Sequence, residues 1–148
     1  MTASPEQLHE MLMSCINFSR TMLEKAGDFY PFGATLSAAG QVGTTGAYNG
    51  EERPQPQEIY RMLAHAYAAG ARSGEFLGVA LAANVNIPAQ FSPTLPDGVR
   101  VHLESSGFSR FVYIPYKISV SEKNRTVEMH EPFSVQIQPQ FFLAAGHV

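Results

Sequence analysis

The sequence predicts an α+β domain: a single, mainly antiparallel sheet with two helices packed on one face, in the order α-β-β-α-β-β-β. Three observations carry this reading. Two segments, one after Ser4 and one after Gln55, repeat apolar residues at helical spacing. Several shorter segments alternate apolar and small or polar residues with a period of two, as half-buried strands do. Glycine and proline punctuate the boundaries, and helices beside an antiparallel sheet are the usual packing for such an order.

Ser4-Pro5-Glu6-Gln7 opens the first helix: Ser4 is the N-cap, Pro5 suits the first helical position and Gln7 completes a capping box. Leu8, Met11, Leu12, Cys15, Phe18, Met22, Leu23 and Ala26 then form an apolar stripe that Gly27 ends. Each large side chain on it, once buried, contributes roughly 1.5–3 kcal/mol before entropy is subtracted.

Asp28–Tyr48 reads as a corner followed by a hairpin. Pro31, which has no N–H to give a ladder, stands at the strand's start. Phe32, Ala34, Leu36 and Ala38 alternate with Gly33, Thr35 and Ser37, and Ala39-Gly40 makes the turn. The return strand, Gln41–Tyr48, carries Gly43 and Gly46, which predicts a bulge or a close approach.

Asn49–Gln57 is polar with two prolines, an exposed connection. The second helix runs from about Pro56 to Arg72, with Ile59, Leu63, Ala66, Tyr67 and Gly70 on one face. In Glu75–Ile87, a long strand, Leu77, Val79 and Leu81 share one face and Gly78, Ala80 and Ala82 the other. After a proline-rich loop at 88–98, Val99, Val101 and Leu103 alternate with Arg100, His102 and Glu104. Phe108–Ser119 is apolar on both faces. Thr126 to about Ile137 is one last strand or two, broken at Glu131-Pro132, and the tail Phe141-Phe142-Leu143 should dock.

The 148 residues suit one domain, 1–148. With 45% hydrophobic and 16% charged residues the chain can bury a real core, which argues against disorder. The single cysteine, Cys15, rules out an internal disulfide framework and points to a reducing, cytoplasmic setting. The N-terminus reads as neither basic nor apolar enough for a secretory leader, and no run of about 18 apolar residues occurs. A net charge of −3 without a Lys/Arg cluster disfavours nucleic acid and anionic membrane as partners.

Phe29-Tyr30-Pro31-Phe32-Gly33-Ala34, Ala47-Tyr48-Asn49-Gly50, Val112-Tyr113-Ile114-Pro115-Tyr116 and Glu131-Pro132-Phe133 together resemble a family of small uncharacterised bacterial proteins. The resemblance implies a bacterial cytosolic domain and brings no functional residues with it. The order of elements is similar to that of roadblock-like and profilin-like domains, a likeness of fold that carries no function.

Chemical signatures are sparse. Gly40, Gly43 and Gly46 are spaced like a phosphate cradle, but a strand follows them rather than a helix start, and no lysine adjoins. Cys15 lies on an apolar stripe, unlike a reactive thiol. His102 shares a strand face with Glu104, and His130 with Glu128. Were those strands close, the four would form a metal site or the centre of a small hydrolase. Nothing in the spacing requires it, and no cofactor is implied. The densest contact material is aromatic: Phe29, Tyr30, Phe32, Tyr113 and Tyr116. Helices on one face leave the other face of 108–119 to be covered by the tail, a loop, a ligand or a second protomer. The expectation is therefore a binding module rather than an enzyme, pairing with itself around Tyr113 and Tyr116 with help from the 139–148 tail, or binding another protein. The alternatives are the His102/His130 enzyme and a small-ligand sensor with its pocket between the sheet and loop 88–98.

Overall fold

The structure, a computed structural model, describes residues 2–143. In chain order the elements are α1 (Pro5–Ala26), β1 (Phe32–Ser37), β2 (Val42–Thr45), α2 (Pro56–Ser73), β3 (Phe76–Asn86), a short 3-10 turn at Ala89–Phe91, β4 (Asp97–Ser105), β5 (Phe108–Ser121), β6 (Asn124–Met129) and β7 (Phe133–Gln136). All seven strands join one antiparallel sheet in the order β2-β1-β3-β4-β5-β6, and β7 also pairs with β5. The α+β class and the order of elements follow the sequence reading.

The capping box of α1 is made as expected. Ser4 accepts from the Gln7 backbone, Gln7 accepts from the Ser4 backbone, and Gly27 closes the helix in the left-handed region. β2 is shorter than the sequence suggests. It stops at Thr45, and open space surrounds Gly43 and Gly46, so these glycines mark neither a bulge nor a close approach. The close approach falls at Gly33 instead. A β-carbon there would overlap the Ala80 carbonyl oxygen and the Tyr67 hydroxyl, which bonds Thr45 across the same spot.

The two helices do not share a face. α1 covers a core built with Leu36, Ala80, Ala82, Val101, Leu103, Val112 and Ile114. α2 covers a separate core of Ile59, Leu63, Tyr67, Val79 and Leu81, closed by Phe141. The expectation of one core under two helices is thus corrected: Leu36 and Val101 belong to the first, Leu63, Val79 and Leu81 to the second. The reason lies in β3, where Val79, Ala80, Leu81 and Ala82 are all fully buried. Successive strand residues point to opposite faces. A strand apolar on both therefore takes cover from both, and a helix can lie on only one side. Ala66, read as part of the packed face of α2, is exposed. A register shift between Leu36 and Ser37 against β3 turns Leu77 toward the α1 core and leaves Phe76 against Tyr67.

β6 and β7 lie end to end along one edge of β5: Tyr116–Ser121 pairs with β6, and Arg110–Tyr113 with β7. The break falls where the sequence placed it. The Pro115 carbonyl accepts from His130 N on that edge (2.8 Å), so its missing N–H faces the same side. The ladder loses a donor there, and Glu131-Pro132 carries the chain past the gap.

Cys15 is fully buried on α1, and burial pushes its thiol up to about 12. The folded protein should therefore resist alkylation by iodoacetamide near pH 8, becoming reactive only when unfolded. Rapid stoichiometric labelling of the native protein, read by mass spectrometry, would contradict the packing of α1.

Candidate functional site

Where β1 begins, the sheet has an open corner. Phe32 pairs with Ala82, so Ala83, Asn84 and Val85 of β3 run on without a strand on that side. Pro31, which cannot donate, precedes the first paired residue, and the chain at 28–31 bends away. A cavity of about 970 Å³ opens here, within the size range of small-molecule sites. Met22 and Ala26 from the end of α1 line one side and Gln57, Tyr60 and Arg61 from the start of α2 another, while Arg100 of β4 and the 28–31 corner close it.

Three charged groups line it, Asp28, Arg61 and Arg100, and Asp28 and Arg100 are held by neutral partners. Tyr116 Oη donates to Asn84 Oδ1 (2.6 Å), and Asn84 Nδ2 donates to Asp28 Oδ1 (2.8 Å). Burial, with help from the Asp97 and Asp28 charges, raises the Tyr116 hydroxyl against the opposing effect of its bond to Asn84. Tyr116 therefore stays a donor, which fixes the Asn84 amide with its nitrogen toward the carboxylate. The Phe29 backbone N–H donates to the same Asp28 oxygen (2.7 Å).

Arg100 is the cationic counterpart. Its guanidinium lies 4.4 Å from the Phe111 ring centre and 5.5 Å from that of Tyr60, and Nη2 donates to Tyr60 Oη (3.0 Å). Its Nε is buried with no hydrogen-bond partner among the described residues. Leaving such a donor unmade costs about 1–3 kcal/mol. Among the described residues the ion pairs are His102–Glu104 and His130–Glu128, so no carboxylate neutralises Arg100. The first turn of α2 has no side-chain cap from Gln55, but Pro56 carries no N–H and the Glu58 and Ile59 N–H groups donate to the Gln55 carbonyl (3.0 and 3.3 Å).

Of the five aromatic residues singled out from the sequence, Phe29 and Tyr30 line this cavity, and Tyr30 is 49% exposed. Tyr116 reaches its rim through Asn84. Phe32 is buried in the α1 core, 4.6 Å from the Phe18 ring. Tyr113 is buried on the other face, stacked on Phe133 at 5.2 Å and packed by Phe91 at 5.6 Å. Phe91 belongs to loop 88–98, so that loop packs onto the sheet at the place where the sensor pocket was expected. Both faces of 108–119 are thus covered by the chain itself around Tyr113 and Tyr116, which are 4% and 6% exposed. No second copy is needed to cover the strand at that place. Phe141 and Phe142 supply part of the expected tail contact, and residues 144–148 lie outside the described residues.

The four His and Glu residues do not converge. His102 and Glu104 form a fully buried pair (Nε2 to Oε1, 2.7 Å) on the α2 face. Glu104 also accepts from Ser109 Oγ and from three successive backbone N–H groups, Gln140, Phe141 and Phe142. It is a clamp for the tail, with no oxygen left for a metal. Glu128 and His130 pair separately at the edge, where His130 also meets Thr94. No group of three His, Cys, Asp or Glu able to hold a metal ion exists among the described residues.

Sequence reasoning passed over Asp28, Tyr60, Asn84 and Arg100. Asn84 could have been noticed as a polar residue ending an apolar strand face. Arg100 was hidden by alternation, which marks its face as wet when Phe111, Tyr60 and Phe141 in fact cover it. No helix of the described residues is long and apolar enough to cross a membrane. No family model matches the chain, and neither a curated protein nor a solved structure matches it.

Proposed function

We propose that this chain is a binding module whose occupant is a small molecule seated in the cavity at the open corner of the sheet. One observation carries the reading: an uncompensated guanidinium, Arg100, stands in a cavity of about 970 Å³ whose other walls are largely aromatic, aliphatic and proline side chains. A few fixed polar groups in an apolar concavity are what small-ligand sites are made of. The bacterial cytosolic setting implied by the motif resemblance is part of the same proposal. Pairing through Tyr113 and Tyr116 is not, because neither ring is available.

Anilinonaphthalene sulfonate, an aromatic anion whose fluorescence rises in apolar surroundings, is a suitable first probe. The folded protein should bind it with one-site saturation. Ala26→Trp fills the cavity from an exposed position on α1, so it should remove the signal and leave the melting temperature nearly unchanged. Equal dye binding by the variant would reject the cavity as the site.

A further inference from the structure

Asp28 and Arg100 line the same cavity, yet neither is ion-paired with the other or with any other side chain among the described residues. Asp28 is tied through Asn84 to Tyr116 of the α1 core, and Arg100 lies against Tyr60 of the α2 side. Here each is held back by neutral donors and rings. Asp28 Oδ1 is fixed by Asn84 and by the Phe29 N–H, and Oδ2 has no hydrogen-bond partner among the described residues. Arg100 is pinned over Phe111 by its bond to Tyr60, with Nη2 used and Nη1 without a hydrogen-bond partner among the described residues. The Tyr116–Asn84 relay runs from the α1 core to Asp28, an exposed residue whose carboxylate these bonds orient at the mouth of the cavity.

From these two separated charges, and resting on the cavity reading above, we infer that the ligand is a small zwitterion with an apolar body, an amino acid or short peptide. Its ammonium group binds Asp28 Oδ2. Its carboxylate binds Arg100 Nη1. Its apolar part lies against Met22, Phe29 and Tyr30. The size of the cavity suits a dipeptide as readily as a single aromatic residue.

Calorimetric titration of the full chain with L-phenylalanine and with the dipeptide Phe-Phe, each beside its N-acetylated and C-amidated forms, tests the inference. At least one free zwitterion should bind about tenfold or more tighter than both of its blocked forms, since a site built around a charge rejects the analogue that lacks it. Asp28→Asn should abolish the preference over the acetylated form alone, and Arg100→Gln the preference over the amide alone. Blocked forms that bind as well as the free ones overturn the inference, as does an absence of binding by all six compounds. In either case the dye experiment with Ala26→Trp still reports on the cavity independently: a dye signal lost in that variant keeps the cavity reading while the zwitterion falls. Preferences unchanged in both charge variants would also overturn the assignment of Asp28 and Arg100.

Discussion

Glu104→Gln should lower the stability of the fold by about 3–5 kcal/mol, the cost of breaking a buried, fully bonded charge. The carboxylate accepts from His102 Nε2, Ser109 Oγ and the backbone N–H groups of Gln140, Phe141 and Phe142, at 2.7–3.0 Å. An amide nitrogen at either oxygen position would face at least two of these donors. Urea melts should show the loss, and amide hydrogen exchange should speed up at 140–142, because the tail has lost its anchor. A loss below about 1 kcal/mol with unchanged exchange would contradict the clamp.

The same clamp sets an acid limit. Burial alone would raise the Glu104 carboxyl, but the hydrogen bonds from His102 and from the Phe142, Gln140 and Phe141 backbones outweigh it and bring the group down from 4.5 to about 2. The folded state thus holds the proton less tightly than the unfolded state. The stabilisation is complete above the ordinary value of 4.5 and is lost as pH falls toward about 2. By linkage it amounts to about 3 kcal/mol. In Glu104→Gln the fall in stability over that window should be shallower by a similar amount.

Leu81→Ala should cost about 2–5 kcal/mol, the range for a fully buried leucine whose site cannot collapse. Leu81 is wholly buried between α2 and the sheet, with Leu63, Tyr67, Val79 and Phe141 around it. Gly33 and Gly70 let neighbouring groups come too near for any β-carbon, so little slack remains to fill the void. Denaturant melts measure it directly. A loss below about 1 kcal/mol would mean that Leu81 does not face this core.

Sequence and structure agree on the elements because local chemistry decides them. The serine cap of α1, the glycine stops after both helices and the period-two alternation of β1, β3, β4 and β5 need only a few residues of context. Proline acts as locally: the lost donor of Pro115 breaks the outer ladder at 130–132. Cys15 as a buried thiol was legible for the same reason, since its place on the helical stripe settles its surroundings.

Only the tertiary structure decided what lies across each face. Alternation shows that both sides of β3 are apolar but does not say which helix covers which side, and the answer, one each, removed the exposed apolar face from which pairing had been argued. The cavity belongs to the same class of feature. It draws Asp28, Asn84 and Arg100 from three separate segments, and it exists because β1 begins opposite Ala82 and leaves the end of β3 unpaired. Likewise Glu104 reads locally as a solvated strand residue until Gln140–Phe142 returns to give it three N–H groups. Backbone preference and periodicity act over a few residues, whereas the partner of a buried charge can come from anywhere in the chain; the elements were therefore written in the sequence, and the site was not.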